Sequence, residues 1–154
     1  MHKRLVVESL DEVMNFQKNR DPFGALGIGR KQLIIDWLNL MDIQDYTIND
    51  DHTIDTHVSI IITDKDLVEF PDYIKFGNVA GSFVSSGNSL ISLRGCPENV
   101  GLYFSCSDNQ LTSLEHCPKY VYGSFDCFNN KRDFTEEDIR KLCDVHGNIY
   151  LTEF

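Results

Sequence analysis

The sequence predicts an α+β fold: a short solenoid with a β-sheet face, capped by helices at its N-terminal end and by a helix plus a strand at its C-terminal end. Three observations predict it. Residues of the same kind recur 21 apart in the second half of the chain, short stretches inside each repeat alternate between apolar and small side chains, and amphipathic stretches flank the repeats.

The interval is strict. Phe83, Phe104 and Phe125 keep it, as do Asn88, Asn109 and Asn130, and Val79, Val100 and Val121. Leu90 and Leu111, Leu93 and Leu114, Cys96 and Cys117, and Pro97 and Pro118 share it. The unit F-x-[SC]-x-x-N-x-L-x-x-L-x-x-C-P-x-x-V-x-x has the period and leucine spacing of a leucine-rich-repeat-like solenoid, in which stacked coils bury together what one coil cannot bury alone. The alternations Val79-Gly81-Phe83-Ser85, Val100-Leu102-Phe104-Cys106 and Val121-Gly123-Phe125-Cys127 predict one strand per coil, with these residues inward and the ones between them outward. A chain leaving a sheet has unpaired backbone groups, and asparagine carries both donor and acceptor. Asn88, Asn109 and Asn130 are therefore expected to form a structural ladder from coil to coil. The leucines fill the convex half, the cysteines pack as compact hydrophobes, and each proline blocks a helix.

An earlier, irregular coil is expected in "HVSIIITDKDLVEFPDYIKFGNV", with Val58, Ile60 and Ile62 inward and Leu67, Phe70 and Pro71 in the place of the leucine and Cys-Pro run. Its period is 23, so two extra residues lie in "DYIKFGN". "DYTINDDHTID" reads as a hairpin turning at Asn49, Asp50, Asp51 and His52. At the N-terminal end, Ser9 and Glu12 form a capping box before a stripe of Leu10, Val13, Met14 and Phe16. "RDPFGALGIG" then interrupts, and a second helix carries Leu33, Ile34, Trp37, Leu38 and Met41. Past Asn130 the pattern breaks at Arg132. Thr135 caps a helix with Glu136, Glu137 and Asp138 in its first turn and Ile139, Leu142 and Cys143 on one side; "NIYL" adds a strand with Ile149 and Leu151 inward. The chain is thus one domain over 1–154: a helical cap at 1–45, the solenoid at 46–130 and a second cap at 131–154.

Composition narrows function. The chain has 154 residues and a net charge of −10, which argues against nucleic-acid or anionic-membrane binding. With no long apolar run and no export-type start, a soluble, cytoplasmic protein is expected, and its five cysteines are expected as free thiols.

The repeats, the tail "DFTEEDIRKLC" and the head segment "DPFGALGIGRK" together resemble leucine-rich-repeat-like proteins encoded by tailed bacteriophages and some bacteria. Ser85 stands where cysteine is usual in that unit, and Leu102 where glycine is. The resemblance implies the capped solenoid and an interaction module, and brings no catalytic residues.

Chemistry-bearing motifs fail one by one. "GALGIGRK" approaches a phosphate loop, but Arg30 stands where lysine is required and Lys31 where serine or threonine is. Cys96, Cys106, Cys117 and Cys127 are spaced 10, 11 and 10 apart by the repeat, with no chelating C-x-x-C pair. The five histidines form no catalytic grouping, and Asp50, Asp51 and Asp55 lack a calcium loop. No cofactor or metal is expected, and no enzyme. The outward strand positions remain as the candidate partner-binding surface: Ser59, Ser82, Tyr103 and Ser124; Ile61, Val84, Ser105 and Asp126; Thr63, Ser86, Ser107 and Phe128; and Tyr122 beside them, aromatic anchors on a small polar field. The expected function is protein–protein interaction, as a phage accessory or host-modulating factor; the alternative is a self-associating structural component or adaptor of a virion or complex. The helical head around Phe23, Arg30 and Lys31 is the other surface a partner could use, and the oligomeric state is open.

Overall fold

The computed structural model describes residues 29–152. The first expected helix, with Ser9, Glu12 and Phe16, lies outside the described residues, as does Phe23. Two helices are described, α1 (Arg30–Leu40) and α2 (Glu136–Arg140). The strands are β1 (Thr47–Ile48), β2 (Ile54–Thr56), β3 (Ile60–Ile61), β4 (Phe76–Val79), β5 (Phe83–Val84), β6 (Asn99–Val100), β7 (Phe104–Ser105), β8 (Tyr120–Val121), β9 (Phe125–Asp126), β10 (Asp144–Val145) and β11 (Ile149–Tyr150). They build a solenoid of about five turns, mostly strand with little helix.

Each coil contributes to two sheets. One has six strands in the order β1-β2-β4-β6-β8-β10, the other five in the order β11-β9-β7-β5-β3. All pairs are parallel except the β1–β2 hairpin, which turns at Asn49 to His52. Register follows the repeat, Phe83 opposite Phe104 opposite Phe125. One of the two extra residues of the first coil is a bulge in β4, since Ile54 pairs with Phe76 but Thr56 with Val79.

The single strand expected in each coil is therefore two strands joined by a corner, and the alternation does not run through it. Corner backbones of successive coils lie almost in contact: a Cβ added at Gly101 or Gly123 would sit 2.1 Å from the carbonyl oxygen of Ala80 or Leu102. The corner also re-aims its middle residue. Leu102, expected inward, is 56% exposed, and Val58, the equivalent corner residue of the first coil, is exposed as well.

Inside, Phe83, Phe104 and Phe125 form a column with centroids 6.1 and 5.0 Å apart, and the repeat valines, leucines and cysteines surround it, all buried. The N-terminal end of this core is closed by α1. It buries Leu33, Ile34, Trp37 and Leu38, and sets Trp37 edge-on against Phe70 at 5.9 Å and Phe76 at 6.4 Å. At the other end Thr135 and Asp138 cap α2 reciprocally, Phe134, Ile139 and Cys143 are buried, and β10 and β11 complete a last coil. Two residues expected inward here are not: the helix ends at Arg140, leaving Leu142 exposed, and Leu151 is exposed just past the last strand.

The bends between coils are closed by the asparagines. Asn109 Nδ2 donates to the carbonyls of Ser85, Cys106 and Ser107 at 3.0 to 3.1 Å, while its Oδ1 accepts from the Leu90 amide at 3.0 Å. Asn88 spans the Ile62 and Ser85 carbonyls and the Lys65 and Leu67 amides, and Asn130 the Cys106 and Cys127 carbonyls and the Leu111 amide. Each bond set reaches into the preceding coil. The residue before each asparagine is left-handed, Gly87 at φ 71°, Asp108 at 56° and Asn129 at 54°, and these are residue types that tolerate that conformation.

Replacing Asn109 by Ala should cost about 1–3 kcal/mol, because buried carbonyls and one amide lose their partner. Asn109→Asp keeps the shape and the acceptor but points a carboxylate oxygen at three carbonyls, and should cost no less. Urea unfolding checks both; unchanged midpoints would mean that the bends close without the ladder.

Candidate functional site

The outward positions of the five-stranded sheet form columns fixed by register. Ile61, Val84, Ser105, Asp126 and Tyr150 are neighbours across β3, β5, β7, β9 and β11. Phe128 and Ser107 flank them along the chain, as do Tyr103 and Ser124. Val84, Tyr103, Ser82, Ser124 and Phe128 are half-buried.

Three residues expected at the surface are not there. Ser105 is 3% and Asp126 1% exposed, and Ser107 is buried too. The cause is a hydrogen-bonded cluster in the plane of the face. Asp126 Oδ1 accepts from the Ser105 hydroxyl and from the Ser107 hydroxyl, the latter at 2.6 Å, so the three short side chains lie against the sheet between larger neighbours. Ser107 Oγ in turn accepts from the Phe128 amide at 3.0 Å. Burial pushes the Asp126 carboxyl up from its ordinary 3.8 to about 7.

The remaining serines are also engaged. Ser59 Oγ accepts from the Ser82 amide, Ser82 Oγ from the Tyr103 amide and Ser124 Oγ from the Asn148 amide, at 2.9, 3.1 and 3.3 Å. Ser82 and Ser124 thus join one coil's corner to the next.

Tyr122 does not share this face. It follows β8 of the six-stranded sheet, where its ring lies 6.3 Å from that of Tyr120 and 5.2 Å from the His146 imidazole. The alternation read from Val121 onward leaves out Tyr120, which lies just before it and is exposed like Tyr122. The repeat interval was the available signal: Tyr120 aligns with Asn99 and Asn78, two polar residues.

The cysteines offer no reactive thiol. All five are free and buried, and burial raises every one: Cys117, Cys127 and Cys143 reach about 12, and Cys96 and Cys106 rise well above the ordinary range. Among the described residues no His, Cys, Asp and Glu cluster of three or more could hold a metal, and no helix is long and apolar enough to cross a membrane. Of the phosphate-loop-like segment the described residues are Gly29, the extended residue before α1, and Arg30 and Lys31, which open that helix. No protein-family model matches this chain, and no curated protein or solved structure does.

The Asp126 shift carries a signed consequence for stability. The folded carboxyl holds its proton up to about pH 7 and the unfolded one only to about 4, so the contribution of Asp126 is full below pH 4 and is lost as the pH rises to 7. Relative to Asp126→Asn, wild-type stability should fall across that window, by at most about 1.4 kcal/mol per pH unit. Denaturant unfolding of both proteins at each pH measures it, and a difference that stays flat from pH 4 to 7 contradicts the assignment. The thiols give a second check: the folded protein should resist a thiol reagent at neutral pH and expose all five cysteines to it once unfolded.

Proposed function

We propose that this chain is a non-enzymatic protein–protein interaction module of the leucine-rich-repeat type, of the kind that serves as a phage accessory or host-modulating factor in the cytoplasm. The observation that carries this reading is the outward face of the five-stranded sheet. There Val84, Tyr103 and Phe128 stand half-exposed on a floor whose polar groups are already bonded to one another through Ser105, Ser107 and Asp126. Side chains held that way lose little freedom when a partner covers them, and tyrosine combines apolar contact with a hydroxyl. A partner would find shape and aromatic anchors here rather than unpaired polar groups.

Self-association is favoured by a different observation. At one edge of the five-stranded sheet β3 carries Ile61, 62% exposed, and past the other edge Leu151 is exposed. Exposed apolar residues at sheet edges are where a second copy adds strands. Sedimentation over a wide concentration range separates a monomer from such assembly.

The test of the main reading is Tyr103→Ala with Phe128→Ala. Neither ring is part of the buried column, so the melting temperature should move little, while a partner captured by the wild-type protein should be lost. A stable double variant that captures the same partner equally well would move the binding surface elsewhere.

A further inference from the structure

We propose that the outer face of the six-stranded sheet is a docking site for an arginine side chain on a basic protein segment. The site is the ring row Tyr120, Tyr122 and His146 with the carboxylate of Asp144. Register builds it: Tyr120 lies between Asn99 on β6 and Asp144 on β10. The two tyrosine rings are 21° from parallel, and the equivalent position in the preceding coil is Gly101, which has no side chain to cover Tyr122. Tyr120 and Tyr122 are 44% and 58% exposed, and among the described residues they are the only exposed tyrosines.

Charge decides the occupant. An aromatic face attracts cations, and of the two basic side chains arginine has a planar group that can lie on a ring while its edge donates to a carboxylate. That carboxylate is present. Asp144 is held 3.6 Å from the His146 Nε2, beside the rings, and more than half of its side chain is open to solvent. Glu98, next to Asn99, adds a second partly open carboxylate, paired only loosely with Lys119 at 4.0 Å. The net charge of −10 steers a basic segment toward such a face and repels an acidic one. The proposal rests on the protein-binding reading but uses a different sheet, so the two can fail separately.

The probe is the acetylated, amidated peptide Gly-Arg-Gly-Arg-Gly, titrated into isotope-labelled full-length protein and followed by NMR, with the citrulline version as an uncharged control of the same shape. Expected are saturable shifts centred on Tyr120, Tyr122, Asp144 and His146 with the arginine peptide, and none with the control. Tyr122→Ala and Asp144→Asn should each weaken binding about tenfold, Tyr122→Phe should keep it, and Tyr103→Ala should leave it unchanged. Shifts that do not saturate, equal binding of the citrulline peptide, or unaltered affinity in Tyr122→Ala would overturn the site. Lost capture by the Tyr103 and Phe128 double variant without arginine binding removes this proposal alone; arginine binding with capture unaffected by that double variant removes the five-stranded-sheet reading alone.

Discussion

The structure depends on one constraint: no coil can close its own bend. Where the chain leaves the five-stranded sheet, carbonyls and amides of two successive coils face each other with no regular ladder to pair them, and only a side chain with donor and acceptor ends can serve both. Asn88, Asn109 and Asn130 do so, each holding backbone groups of its own coil and of the coil before. A coil in isolation would lose the bonds that its asparagine makes to the coil before it and would expose its apolar core to water. The coils are therefore stable as a stack or not at all, and both ends of the stack need something other than another coil. At one end that is α1, with Trp37 wedged between Phe70 and Phe76; at the other it is the capped turn α2 over Phe134 and Ile139.

What was legible in the sequence follows from the same constraint. A residue that must bond two coils recurs at the coil interval, so the asparagines and the phenylalanine column could be placed by counting. Thr135 and Asp138 were legible for a local reason, since a helix start uses residues three apart in sequence. The corner was not legible. Period-two alternation is a property of one extended strand, and it loses its meaning where the backbone turns, so Leu102 and Val58 point outward although their parity says inward. The corner divides the sheets, with Tyr120 and Tyr122 on the side of the six-stranded one and Tyr103 and Phe128 on the side of the five-stranded one.

The outward serines illustrate a second limit. A small polar residue on a strand reads as solvent-facing because most such residues are, yet parallel coils bring equal positions within hydrogen-bonding distance, where a hydroxyl can reach the next coil's backbone or side chain. Ser59, Ser82 and Ser124 do this at the corner, and Ser105 and Ser107 do it on the face, converging on Asp126. The two hydroxyls favour the ionised carboxylate, while its near-complete burial favours the neutral acid, and burial wins. An acid of this kind shapes the face it lies in.

The corner also limits what any one partner can touch. Tyr103 and Phe128 lie on one side of it and Tyr120 and Tyr122 on the other, and at the corner the backbones of successive coils leave no space for a side chain at Gly101 or Gly123. A partner running along the coils follows one sheet; to reach both it must wrap the edge marked by exposed Leu102. The two faces differ in kind as well. One has its polar groups satisfied internally and offers shape, while the other leaves carboxylates open beside bare rings. Shape without open charge selects by fit and holds by slow dissociation, whereas open charge acts over distance and mainly speeds encounter. A solenoid this short can therefore present two independent surfaces, provided that the ladder beneath keeps the coils in register.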